Sequence, residues 1–171
     1  DWCVGAVVNL RNIIYICCAN QYIGIMQHIE IRSEAEIKKI IREVFTGDPG
    51  QRENFIYETE EQSITDTSER NIGSIKEHDA KFYQLVSDHD RSTVGFMNVI
   101  PKFNMLYSFG LKYGCRSKDN KEAFGKILDS LLPGDTLACS LYTKNERGIR
   151  FLEKFGFERQ ETITLLKHRN K

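Results

Sequence analysis

The stretch from Lys81 to Leu132 constrains most of what this chain can become. Lys81–Ser87 (KFYQLVS) and Thr93–Ile100 (TVGFMNVI) are rich in aromatic and β-branched residues. Asp88-His89-Asp90-Arg91 between them supplies polar turn residues. Two such runs joined so closely predict an antiparallel hairpin. Pro101 ends the second run, because proline cannot donate to a sheet ladder. Asn104–Lys112 (NMLYSFGLK) then reads as a third strand. From Lys121 to Leu132 the period changes, and Phe124, Ile127, Leu128, Leu131 and Leu132 fall on one helical face. Early connections through hairpins and later ones through helices predict a mixed sheet with helices on its faces.

The flanking segments extend this plan. His28–Arg32 alternates apolar and polar residues and reads as a strand. Ser33-Glu34-Ala35-Glu36 has the form of a capping box, followed by Ile37, Ile40, Ile41, Val44 and Phe45 on one face. This predicts a helix to about Phe45, ended by Gly47-Asp48-Pro49-Gly50. Residues 51–80 are rich in Glu, Ser, Thr and Gln with isolated apolar residues. They read as a surface excursion with a short helix near 53–62. After the Pro133-Gly134-Asp135 turn, Thr136–Tyr142 (TLACSLY) reads as a strand and Asn145–Phe155 as a third helix. Asn145 is its cap and Gly156 its left-handed stop. Glu161–Leu166 closes the sheet. The order is β-α-(α/loop)-β-β-β-α-β-α-β, an α/β fold.

Composition narrows the function. The chain has 171 residues with 24 Lys and Arg against 24 Asp and Glu, enough for one domain and a sizeable core. Balanced charge argues against a dedicated nucleic-acid binder. Cysteines 3, 17, 18, 115 and 139 are odd in number and show no CxxC spacing. They argue against a disulfide framework and for a reducing, cytoplasmic compartment. Histidines 28, 78, 89 and 168 are scattered and suggest no metal site. The apolar run within residues 1–25 is interrupted by Asn9, Arg11, Asn12, Asn20 and Gln21, so no membrane span is expected. It also lacks the features of a signal peptide. A clean domain opening follows Met26, so 1–25 reads as an N-terminal extension and 26–171 as a single domain.

A strand that ends in a tight loop and opens a helix is a natural anion site, because the first-turn N–H groups have no helical partner. Met105–Leu111, the loop Lys112–Lys121 and a helix beginning near Asn120 have that form, with Arg116, Lys118 and Lys121 on the loop. Alone, this is also the form of an ordinary charged turn.

GLKYGCRSKDNKEAFGKIL and, downstream, NERGIRFLEKFGF together resemble the two signature regions of the GNAT superfamily of N-acetyltransferases. In that family an Arg-x-x-Gly-x-Gly/Ala loop holds the pyrophosphate of acetyl-CoA, and a later asparagine opens a helix that ends in Gly-Phe. The strand order from His28 to about Leu166 also matches. The resemblance implies a central mixed, mostly antiparallel sheet flanked by helices, with strands four and five splayed to admit the pantetheine arm. It makes Arg116 the loop arginine and Ser117, Lys118, Asp119, Asn120 and Lys121 the backbone donors. Phe109, Gly110 and Leu111 become the strand end along the pantetheine, and Asn145 the asparagine that contacts the cofactor. It implies acetyl-CoA as co-substrate, an amine acceptor and no metal. Transfer would proceed through proximity and backbone polarisation.

Tyr107, Ser108 and Tyr142 are the candidates to carry or relay a proton, with Glu30 and Glu58 as further carboxylates. Cys115, beside Arg116, reads either as a thiol of lowered pKa or as a passive small residue, and Cys139 as core. Three positions depart from the family pattern. Asp119 and Lys121 stand where the loop glycines would be, and Leu152 stands where a tyrosine often serves as acid. The shortened glycine motif and the RFLEKFGF end are similar to GNAT-like proteins encoded by bacteriophages. That gives an alternative expectation, a non-catalytic GNAT-fold structural or interaction protein with a virion or protein partner.

Overall fold

A computed structural model describes residues 26–46, 59–141 and 145–159 of the chain. The expectations for the 1–25 extension, the 47–50 turn, Glu58, Tyr142 and the closing 161–166 strand lie outside the described residues. Among the described residues, five strands form one sheet in chain order: β1 (Met26–Ile31), β2 (Lys81–Ser87), β3 (Thr93–Ile100), β4 (Met105–Leu111) and β5 (Ala138–Cys139). Neighbours from β1 to β4 pair antiparallel, and β4 pairs parallel with β5. The expected hairpin is β2–β3, and the sheet is mixed as expected.

Among the described residues, four α-helices cover the sheet: α1 (Glu34–Phe45), α2 (Glu60–His78), α3 (Lys118–Leu131) and α4 (Glu146–Glu153). Phe124, Ile127 and Leu128 of α3 and Leu152 of α4 join Tyr83, Leu85, Met97, Val99 and Leu106 in one core. On the other face Ile37, Ile40, Ile41, Val44 and Phe45 of α1 and Ile64 and Ile72 of α2 pack on Phe82 and Phe96. Neighbouring strand residues such as Phe82 and Tyr83, or Phe96 and Met97, serve opposite cores because side chains alternate across a sheet. All eight residues of β3 are buried, as expected for a strand covered on both faces. The five buried residues of α1 are those its periodicity predicts, each worth up to about 1.5–3 kcal/mol of burial.

Of the excursion expected over 51–80, residues 51–58 lie outside the described residues, and the remainder is corrected, because Glu60–His78 is a 19-residue helix. Its start is a complete capping box: Gln62 N–H donates to Thr59 Oγ1, and Thr59 N–H donates to Gln62 Oε1, both at 3.2 Å. Periodicity was hard to see because the inward face is largely polar. Ser63, Thr67, Ser68, Asn71 and Ser74 are all buried there beside Ile64 and Ile72. Such residues normally weaken a helix by competing for its backbone. Here Ser68 Oγ and Asn71 Nδ2 donate to the carbonyls of Ile64 and Thr67, both at 2.7 Å, so those side chains are satisfied inside the packed layer.

Two boundaries also shift. α3 starts at Lys118, ahead of the expected Lys121, because Ser117 caps it by accepting from Asn120 N–H at 3.2 Å. Lys118 and Lys121 therefore sit in its first turns, not on the loop. β5 spans Ala138–Cys139 within the expected Thr136–Tyr142, because its ladder with β4 is short.

α4 begins and ends as its sequence signals. Asn145 Oδ1 accepts from Gly148 N–H at 2.9 Å. At the other end Phe157 N–H donates to Leu152 O at 3.4 Å and Gly156 N–H to Glu153 O at 3.1 Å, the paired closure of a Schellman motif. Gly156 has φ 84°, which a side chain disfavours, although no atom lies within 4 Å of a Cβ built there. Gly156→Ala is therefore expected to cost about 1 kcal/mol through backbone strain alone, lowering the melting temperature by about 2–4 °C. Thermal melts check this, and an unchanged midpoint would remove the strain account.

Glu43 ties α1 to the sheet. Its Oε1 accepts from Lys112 Nζ and its Oε2 from Thr93 Oγ1, each at 2.9 Å. Burial alone would raise its pKa, but the hydrogen bonds from Lys112 and Thr93 and the Lys112 charge outweigh it and hold the carboxyl below the usual glutamate value. A depressed carboxyl stabilises the fold above its unfolded pKa of about 4.3, and that contribution is lost as pH falls through the folded value. Glu43→Gln should melt below the wild type at pH 7, and the two should converge in acid. A gap that stays constant with pH would show that the charge is not the cause.

Candidate functional site

β4 is irregular at its centre. Asn98 pairs with Ser108 and Val99 with Leu106, so Tyr107 is an extra residue that β3 does not match. Such a bulge bends the strand and increases its twist. The pairing of β4 with β5 stops at the same place, with Met105 opposite Ala138 and Leu106 opposite Cys139. Beyond it, Tyr107–Leu111 continues without a β5 partner among the described residues.

A cavity of about 620 Å³ opens at this parting. Its central wall is Tyr107, Ser108, Phe109, Gly110 and Leu111 of β4, faced by Ser140 and Leu141 just past β5. One side is closed by Phe45 of α1 and Thr67, Arg70 and Asn71 of α2. The other is closed by Arg116, by Lys121 of α3, and by Asn145, Arg147, Gly148, Arg150, Phe151 and Lys154 at α4. Since α1–α2 and α3–α4 cover opposite faces of the sheet, the cavity passes through the gap from one face to the other.

Packing makes the walls firm. Phe109 stacks on Phe151 with ring centroids 5.5 Å apart, and Phe124 and Phe155 complete a four-ring cluster. Gly110 is required where it stands, because a Cβ there would lie 2.8 Å from the Phe96 ring.

Charge divides unevenly. Arg70, Arg116, Lys121, Arg147, Arg150 and Lys154 line the cavity, and no Asp or Glu does so among the described residues. In a chain with no net charge, this gathers cations along one cleft. Arg116 is held by its own loop: its Nε donates to Leu111 O at 3.2 Å and its guanidinium lies 5.6 Å from the Tyr113 ring centre.

Of the residues singled out in the sequence, Tyr107, Ser108, Phe109, Gly110, Leu111, Arg116, Lys121 and Asn145 all line this cavity. Ser117, Lys118, Asp119 and Asn120 lie in the cap and first turn of α3 beside it. The N–H groups of Asn120 and Lys121 already bond to Ser117, so Lys118 and Asp119 supply the first-turn donors without a helical partner. Asn145 Oδ1 is committed to its cap, which leaves Nδ2 as the atom suited to a ligand. Glu30 lies on β1 and bonds Arg32, away from the cavity. Burial pushes the Cys115 thiol up despite the nearby Lys112 charge, so the lowered pKa is corrected in favour of a passive residue. Burial pushes Cys139 up to about 12, as a core thiol requires. Leu152 is buried in the core and does not line the cavity.

Sequence reading missed Thr67, Arg70 and Asn71, because their segment was read as a loop. It also passed over Arg147, Arg150 and Lys154, although their i, i+3, i+7 spacing marks one helical stripe.

No family model and no curated protein matches the sequence. Solved structures do match the fold. A Pyrococcus furiosus protein described as a "putative acetyl transferase" superposes with a TM-score of 0.57 at 12% identity, over 84% of this chain and 99% of its own. A spermidine N-acetyltransferase SpeG chimera of Vibrio cholerae and hSSAT sequence gives 0.53 at 9% identity, over 80% and 82%. AAC(6')-Iy, in complex with a CoA-S-monomethyl-acetylneamine bisubstrate analog, gives 0.51 at 10% identity, over 85% and 99%. These likenesses are of fold, and with the sheet order, the parallel β4–β5 pair and the flanking helices they give the chain the GNAT fold.

Proposed function

We propose that the protein is an N-acetyltransferase that moves an acetyl group from acetyl-CoA to an amine. The observation that carries this reading is the cavity that crosses the sheet between β4 and β5 with its cationic side at α3 and α4. A polyanionic cofactor suits that side. Arg116, Lys121 and the start of α3 would meet the pyrophosphate, with Arg147, Arg150 and Lys154 adding charge along α4. The β4 wall from Phe109 to Leu111 would carry the pantetheine arm through the gap, and Asn145 Nδ2 would donate to it. The acceptor would then approach from the α1–α2 side, past Phe45, Thr67 and Arg70.

The chemistry asks little of side chains. The lone pair of a neutral amine attacks the thioester carbon, a C–N bond forms and the C–S bond breaks. The proton shed by nitrogen ends on the CoA sulfur. Holding both reactants in one gap supplies much of the rate by proximity. With no carboxylate lining the cavity among the described residues, the amine would enter neutral or lose its proton to water. Tyr107 and Tyr142 stay as candidates to relay that proton.

Leu152 favours a second reading, a GNAT-fold binding or structural protein, virion-associated or otherwise, that holds CoA without turning it over. The buried leucine cannot protonate a leaving thiolate.

Calorimetric titration with acetyl-CoA and with CoA separates these outcomes. Wild type should bind both, more weakly as salt rises, and Arg116→Ala should bind about 10-fold more weakly through loss of a charge-assisted contact. Absence of binding by wild type at millimolar cofactor would overturn both readings. Binding without CoA release against a panel of amines would favour the second.

A further inference from the structure

The geometry points to a buried amide chain, Asn98 to Asn71, that fixes the Ser108 hydroxyl as a hydrogen-bond donor to the carbonyl oxygen of the bound thioester. Ser108 is then a catalytic residue, and Asn71 and Asn98 are positioning residues. The inference rests on the acetyl-CoA reading of the cavity.

Asn98 of β3 and Asn71 of α2 are almost completely buried, at 0% and 1% exposure. Burying two amides between a sheet and a helix is costly unless every group is directed. Their direction follows from a single fixed acceptor. The Asn71 side-chain atom 2.7 Å from Thr67 O must be Nδ2, because a carbonyl can only accept. Asn71 Oδ1 consequently faces Asn98, and the atom 2.6 Å away must be the donor Asn98 Nδ2. The second proton of Asn98 Nδ2 goes to Ser74 Oγ at 3.0 Å, and Ser74 in turn donates to Asn71 O at 2.8 Å. Asn71 Nδ2 has one proton left, and it points to Ser108 Oγ at 3.3 Å.

Ser108 Oγ is therefore an acceptor on its inner side. Its own proton cannot point back at an N–H donor, and no other partner for it exists among the described residues. Ser108 lines the cavity beside the bulge at Tyr107, where β4 has already left β5. The O–H is thus turned into the gap through which the thioester would pass.

The network pays for this direction: Asn98 Oδ1 is buried with no partner among the described residues. Apolar residues would fill the same layer without the cost of burying two amides. A donor fixed before the reaction acts where negative charge develops as the amine attacks, which is the thioester oxygen. No proton leaves Ser108 in this role.

The test compares wild type, Ser108→Ala, Ser108→Thr and Asn71→Leu, each checked for folding by thermal melt. Two readouts are used: the Kd for acetyl-CoA against that for CoA, and the infrared carbonyl band of acetyl-CoA isotope-labelled at the acetyl carbonyl. Binding of wild type should lower the carbonyl frequency. Ser108→Ala should lose part of that shift and reduce the preference for acetyl-CoA over CoA by about 5-fold, with CoA affinity unchanged. Ser108→Thr, which keeps the hydroxyl, should retain both. Asn71→Leu should give an intermediate shift, because the hydroxyl is present but free to rotate. An unaltered shift and preference in Ser108→Ala would overturn the proposal, and this pair decides even if Asn71→Leu does not fold. Wild type that binds neither compound would instead remove the acetyl-CoA reading on which the proposal stands.

Discussion

Among the described residues, parallel pairing of β4 with β5 stops at Leu106 and Cys139, while antiparallel pairing with β3 persists to Leu111. A strand held on one side and released on the other leaves a slot in the sheet. Its backbone polar groups on the open side then need partners other than a neighbouring strand. The bulge at Tyr107 sits where the two ladders diverge, and the added twist carries β4 away from β5. The slot stays open because both cores hold its walls apart. Phe109 is fixed by the ring cluster under α3 and α4, and Gly110 is pressed on Phe96 under α1. The cavity and its Ser108 wall follow from this one interruption of pairing.

Legibility in the sequence followed the type of physical signal. Elements with an apolar stripe were readable: α1 through Ile37, Ile40, Ile41, Val44 and Phe45, and the β2–β3 hairpin through its polar turn. Both ends of α4 were readable because Asn145 and Gly156 act within one turn of themselves. The cleft side of β4 was readable as well, since Tyr107 to Leu111 sits directly before a loop and helix that resemble a known signature. α2 was not, because periodicity methods look for apolar residues and its inner face is Ser63, Thr67, Ser68, Asn71 and Ser74. What makes those residues fit lies on another strand, at Asn98 and Ser108, and pairing between distant segments is invisible to a local window. The parting of β4 from β5 was legible only through resemblance, as no local residue pattern encodes a ladder that ends early.

The distribution of charge carries a similar lesson. A chain with 24 cations and 24 anions gives no overall hint of an anion site. Several acidic residues pair away from the cavity, Glu61 with Arg42 between α1 and α2 and Glu34 with Lys76 on the same side, while Asp66 pairs with Arg70 at its edge. Exposed pairs of this kind add little stability. Near the cleft, Glu146 and Glu153 pair with Arg159, whereas Arg147, Arg150 and Lys154 of the same turns line the cavity. The helix thus sorts its charges by face, and a formally neutral sequence gathers cations along one cleft.

Leu152 and α2 bear on the same question from opposite sides of the sheet. Leu152 is part of the core with Phe124 and Leu128, so it contributes packing and no proton donor. If that were the only polar group missing, the cleft would be a binding site with inert walls. On the opposite face, however, the protein keeps a directed chain of amides in a place where leucine or valine would pack without an unmatched acceptor. Burial of polar groups is tolerated when their geometry has a use, and here the amides lead to Ser108, a hydroxyl on the cavity wall with a proton to donate. An uncharged hydroxyl fixed by amides also does its work without titrating, so its contribution would be insensitive to pH, unlike that of a tyrosine or cysteine acid. The loss of a proton donor on α4 and the retention of an oriented hydroxyl on β4 are therefore compatible with one mechanism, in which stabilising the oxygen of the thioester matters more than protonating its sulfur.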